Sequence, residues 1–127
     1  MKEVLAIFIG GGVGSMMRYG VQVLLHERIT AYNFPWATFS VNIVGSFLIG
    51  LFYAASARFG LSTEVRLLLT TGLCGGFTTY STFSNDVLLL LKGGEWLPAL
   101  TYILLSLLFG VAACLLGYKI LQVGSIN

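Results

Sequence analysis

Between Gly72 and Asp86 the chain reads GLCGGFTTYSTFSND. Three glycines, five aliphatic hydroxyls, a tyrosine, an asparagine and an aspartate sit here inside a long apolar tract. At membrane depth, polar groups and irregular backbone are tolerated only where they are buried in protein or line a wet cavity. Nucleophilic chemistry is not what these residues offer. Cys74 has no histidine near it in sequence, and the single histidine, His26, stands beside Glu27 and Arg28 in what reads as a solvated loop, so a Cys/His pair is not expected. The residues are suited instead to holding an ion.

The expected sign of that ion follows from the polar groups inside the apolar tracts: Asn42, Thr78, Thr79, Ser81, Thr82, Ser84, Tyr102 and Ser106. Nearly all can donate a hydrogen bond, and the acid among them, Asp86, comes only toward the end of its tract. Donors without carboxylates suit a small anion. Tyr80 and Phe83 share a helical face, and an aromatic ring carries positive potential at its edge, where an anion can be met side-on. Tyr102 and Ser106 share a face as well. Arg18 lies well inside the first apolar tract, so it should either face a cavity, raising the local anion concentration at a vestibule, or snorkel to an interface.

These residues must be positioned by membrane helices. With 57% hydrophobic and 9% charged residues in a chain of 127, there is more apolar side chain than one small soluble core could bury. The expected architecture is an all-α integral membrane protein, a single transmembrane domain over residues 1–127 with spans at about 4–25, 34–57, 65–91 and 96–118, each long enough to cross about 30 Å of hydrocarbon. As one straight helix, Val65–Leu91 would extend about 40 Å, more than is needed. A break near Gly75 to Tyr80 would use the surplus, with Gly72, Gly75 and Gly76 tolerating non-helical backbone and the following hydroxyls competing for backbone hydrogen bonds. Broken helices of this kind present amides at one end and carbonyls at the other, a recurring way to build ion sites. The alternative is one long tilted helix whose hydroxyls bond back to its own carbonyls.

Small residues four apart, Gly10 with Gly14, Ser46 with Gly50, Ser106 with Gly110 and Ala113 with Gly117, predict close helix packing. GGGVGS in the first span lacks the strand, helix and downstream acid of a dinucleotide-binding turn. No A-x-A-like site follows that span, so a cleaved secretory signal is not expected either. Short loops make consecutive spans antiparallel, and Tyr32, Trp36 and Trp96 near span ends read as interfacial anchors. Cys74 and Cys114 read as buried thiols with neither metal nor disulfide spacing. A net charge of +2 with scattered basic residues argues against a nucleic-acid partner. Lys2, Arg58, Arg66 and Lys119 would face one side, and Arg28 and Lys92 the other with Arg18 nearer to it, a bias too weak to fix orientation.

GLCGGFTTYSTFS resembles the motif G-x-x-G-G-x-T-T-F-S-T-F-S of the small bacterial fluoride channels, the Fluc or CrcB family, and the resemblance extends through IGGGVGSMMRY and PWATFSVNIVGSFLIG to essentially the whole chain. It implies a passive, fluoride-selective channel of the bacterial plasma (inner) membrane that exports cytoplasmic fluoride and lowers its toxicity. It further implies an antiparallel, dual-topology homodimer with two pores along the subunit interfaces. By motif position the pore residues are Asn42, Tyr80, Ser81, Thr82, Phe83, Tyr102 and Ser106, and Arg18 matches a vestibule arginine. A structural sodium ion at the dimer interface would be held by carbonyls at Gly75 and Thr78, with no organic cofactor. Two positions depart from the family pattern: Tyr80 replaces the usual Phe, and Asp86 the usual Glu.

Two other readings remain at this point. A small multidrug transporter is also a four-span chain, but proton-coupled cation export needs an intramembrane acid, and the first span holds Arg18, with Glu3 only at its entrance. A non-conducting assembly partner of a paired channel is the other, although both pore-facing spans keep their donors.

Overall fold

A computed structural model of the chain describes residues 1–25 and 34–122. His26, Glu27, Arg28 and Tyr32 lie outside the described residues. Among those described, all regular secondary structure is helical, and three helices are long and apolar enough to cross a membrane: α1 (Lys2–Leu25), α2 (Trp36–Phe59) and α6 (Trp96–Leu121). Between α2 and α6 the chain is divided into α3 (Thr63–Leu67), a π-helical segment (Leu68–Cys74), α4 (Gly75–Phe77) and α5 (Tyr80–Lys92).

Local chemistry sets these divisions. Helix α2 stops at Gly60, whose φ of 64° lies in the left-handed region that glycine enters without a Cβ penalty, and the Gly60 amide donates to the Ser56 carbonyl. Ser62 then caps α3, its hydroxyl accepting from the Val65 amide at 3.2 Å. Within the next turn the Thr70 hydroxyl donates to the Arg66 carbonyl at 2.8 Å, competing with the Thr70 amide for the acceptor that an α-helix would give it. The ladder slips there, and the Gly75 amide reaches back five residues to the Thr70 carbonyl. Helical geometry ends at Phe77; Thr78 and Thr79 are extended, with ψ of 160° and 123°, before α5 begins.

Two parallel helix pairs organise the bundle. In the first, α1 lies along the π-helical segment and α4, with Gly10 and Gly14 buried against the backbone of Leu68 to Phe77. Gly72 and Gly76 meet Gly10 and Gly11 from the other side. Gly72, Gly75 and Gly76 all lie within helical segments, so the glycines expected to permit the interruption do something else: Gly72 and Gly76 let a second backbone approach, and the extended residues are the two threonines. In the second pair, α2 lies along α6, Gly50 against the Cys114 carbonyl and Gly117 against the Phe47 carbonyl. Such close approach gathers van der Waals contacts where lipid removes any hydrophobic drive between helices. α5 runs antiparallel to α6, with Leu90, Ala99 and Tyr102 forming a small buried core. Large apolar side chains on α1 and α6, Phe8 and Leu108 among them, are left exposed, as suits surfaces that meet lipid.

Candidate ion site at the helix interruption

Two neighbouring helices satisfy the backbone around Thr78 and Thr79. Asn42 on α2 grips Thr79 twice: its Oδ1 accepts from the Thr79 amide at 2.8 Å and its Nδ2 donates to the Thr79 carbonyl at 3.1 Å. From α1, the Arg18 Nε donates to the Gly76 carbonyl at 3.1 Å. The Thr78 amide and hydroxyl both donate to the Cys74 carbonyl, each at 2.9 Å. Beyond the interruption, the Thr79 hydroxyl accepts from the Thr82 amide at 3.1 Å and so caps α5. An unbroken helix would have bonded the Thr79 amide and the Gly76 carbonyl internally; here the Asn42 and Arg18 side chains do so, as the absence of water at membrane depth requires.

Beside this interruption a cavity of about 520 Å³ opens between α2, α4, α5 and α6. Of the residues singled out from the sequence, it brings together Asn42, Gly75, Thr78, Thr79, Tyr80, Phe83 and Ser106. Gly45, Ser46 and Cys74 join them, with Ile49, Ile103 and Leu107 as an apolar wall. Ser46 could have been found, since it follows Asn42 by one helical turn and shares its face; the apolar wall carries no such signal. The Ser106 Oγ is buried and has no hydrogen-bond partner among the described residues. A buried hydroxyl left in that condition costs free energy unless something occupies the space before it. No acidic residue is among the described residues lining the cavity.

Four of the expected site residues lie elsewhere. Arg18 is on the far side of the interruption, at the Gly76 carbonyl. Ser81 and Thr82 are on the first turn of α5, outside the cavity lining, with Ser81 exposed. Tyr102 is fully buried, and its hydroxyl donates to the Asp86 Oδ2 at 2.9 Å. Asp86 is itself buried, so its carboxylate is held in the interior of the bundle, away from the cavity. Tyr102 nevertheless reaches the cavity through a ring: its centroid is 4.9 Å from that of Phe83, which in turn stands 5.9 Å from Tyr80. Tyr80 itself is 80% exposed, on a face of α5 that also exposes Ser81, Ser84 and Asn85.

Residues 5–118 match the family described as CrcB-like protein, Camphor Resistance (CrcB). A protein of Bacteroides fragilis named fluoride-specific ion channel FluC is 55% identical over 119 residues, covering 92% of this chain and 94% of that protein. Proteins of the same name from Phocaeicola vulgatus and Thermus thermophilus are 50% and 45% identical, over 92% and 94% of this chain and 96% and 95% of their own lengths.

Proposed function

The chain belongs to the CrcB-like family, and from that premise we propose that it is a fluoride-selective passive channel of the bacterial plasma membrane, releasing fluoride from the cytoplasm. One observation carries the reading: among the described residues, the cavity at the interruption joins Asn42, Phe83 and a Ser106 hydroxyl that has no hydrogen-bond partner, with no carboxylate in its lining. Fluoride is small, strongly hydrated and a strong acceptor, so a dehydrated ion needs donors close at hand. Ser106 offers a hydroxyl, Asn42 a second amide hydrogen, and the rings of Tyr80 and Phe83 their positive edges. Carboxylates would repel it, which also disfavours a proton-coupled exporter of cations. A non-conducting assembly partner is disfavoured by the same intact donor set. The process is permeation, with no catalytic step.

The assembly follows as part of the proposal. Residues 63–92 form the third crossing, interrupted at Thr78 and Thr79, which completes four crossings. A second copy inserted in the opposite sense covers the exposed polar face of α5, where Tyr80, Ser81, Ser84 and Asn85 would otherwise meet lipid. Two pores then lie along the subunit interfaces, with Ser81 and Thr82 on the track and the Arg18 guanidinium toward a vestibule. Gly75 and Thr78 fit a structural sodium ion, because a helix that ends at Phe77 leaves carbonyls of its last turn without the amides that would follow, and such carbonyls suit a hard cation. Gly75 and Thr78 would hold such an ion, whose charge would offset the carbonyl end of the interruption.

The test is ion efflux from liposomes containing the purified protein and loaded with fluoride or chloride, followed with ion-selective electrodes. Fluoride leaves rapidly, chloride stays, and collapsing the proton gradient changes neither. Chloride efflux at a comparable rate, or dependence on a proton gradient, would overturn the proposal.

A further inference from the structure

We infer that Arg18 and Asn42 are positioning residues that act as a two-sided splint on the interruption, Arg18 fixing its upstream end at Gly76 and Asn42 its downstream end at Thr79. The two arrive from different helices, α1 and α2, and grip backbone atoms three residues apart that an intact helix would have bonded itself. Asn42 is used as only a carboxamide can be: oxygen to the amide, nitrogen to the carbonyl of one residue. That pairing fixes which edge of the carboxamide faces α5, and it leaves one amide hydrogen unbonded on a side chain that also lines the cavity. Asn42 therefore holds Thr79 and presents a donor to the cavity in a single orientation. Arg18 does its work through Nε, the least mobile nitrogen of its side chain, and for this task its donor position matters beyond its charge.

Two readouts separate the splint from a general loss of folding. By amide exchange resolved to single residues, Thr79 in the wild-type protein exchanges as slowly as the helical amides of α5, although no backbone acceptor holds it. Asn42→Ala accelerates Thr79 about tenfold or more, while Asn42→Asp, which keeps the accepting oxygen and loses the donor, leaves Thr79 protected and still slows fluoride efflux. On the upstream side, Arg18→Met moves the carbonyl ¹³C resonance of Gly76 upfield and leaves that of Gly12 in place. Combining Arg18→Met with Asn42→Ala slows efflux by less than the product of the two single losses, because both release one element. Fast Thr79 exchange in the wild type, unchanged exchange in Asn42→Ala, an unmoved Gly76 resonance, or strictly multiplicative losses of efflux each overturn the inference. The efflux arm rests on the channel reading; the exchange and resonance arms do not, so a wild-type protein that passes no fluoride would remove the channel and leave the splint to be judged separately.

Discussion

Phe83→Ile is expected to slow fluoride efflux roughly 30-fold or more while leaving chloride retained and the protein monodisperse. Phe83 lines the cavity between the rings of Tyr80 and Tyr102. Isoleucine is apolar and of comparable bulk, so packing against Tyr102 and its cluster survives with a loss of the order of 1 kcal/mol. What disappears is the ring edge. Taken as comparable to a hydrogen bond to a charged group, the ring-edge contact with a dehydrated anion is worth about 2 kcal/mol, and at 1.36 kcal/mol per decade this converts to a factor of roughly 30 in rate. Unchanged efflux in a correctly folded variant would mean that the ion's route avoids this ring.

Gly14→Ala and Gly50→Ala are expected to lower the thermal midpoint of the purified protein by roughly 10–20 °C, or to prevent its isolation. A single added methyl collides with the Leu73 carbonyl at Gly14 and with the Cys114 carbonyl at Gly50. Both obstacles are backbone, so no side chain can rotate away and a whole helix must shift. The cost therefore exceeds the 1–3 kcal/mol usual for overpacking. At Gly12 and Gly20 an added Cβ meets nothing within 4 Å, and there the same substitution should stabilise the helix by about 0.5–1 kcal/mol. Four glycine-to-alanine variants thus split by sign, which thermal unfolding in detergent would reveal. Equal shifts at all four positions would contradict the packing described for α1 and α2.

Much of this arrangement could be read in the residues themselves. The apolar tracts and scarcity of charge demanded membrane helices, and the hydroxyl-rich stretch after Gly76 marked where helical geometry yields, because Thr and Ser compete for the backbone they sit on. Donor chemistry without acids pointed to an anion, and six of the residues named in that reading, Asn42, Thr78, Thr79, Tyr80, Phe83 and Ser106, line one cavity. The purpose of the glycines was less legible. Gly72 and Gly76 suggest backbone freedom, but the space they leave is filled by α1, and a sequence does not say which helix comes near. Helix rotation is hidden for the same reason. Tyr102 and Ser106 share a face of α6, yet the seam at Gly50 and Gly117 turns that helix so that Tyr102 meets Asp86 in the interior while Ser106 reaches the cavity. Arg18 is a third instance: its charge was evident, whereas its acceptor is a carbonyl 58 positions away.

The glycine seams hold α1 to the π-helical segment and α2 to α6, whereas α5 contains no glycine and packs on α6 through Leu90 against Ala99 and Tyr102. Local opening begins where backbone contact is sparsest. On warming, the stretch carrying Tyr80 and Phe83 therefore peels away while both welded pairs persist. Conduction fails at a temperature where circular dichroism still reports nearly full helicity, and a purified sample can look intact after it has ceased to work.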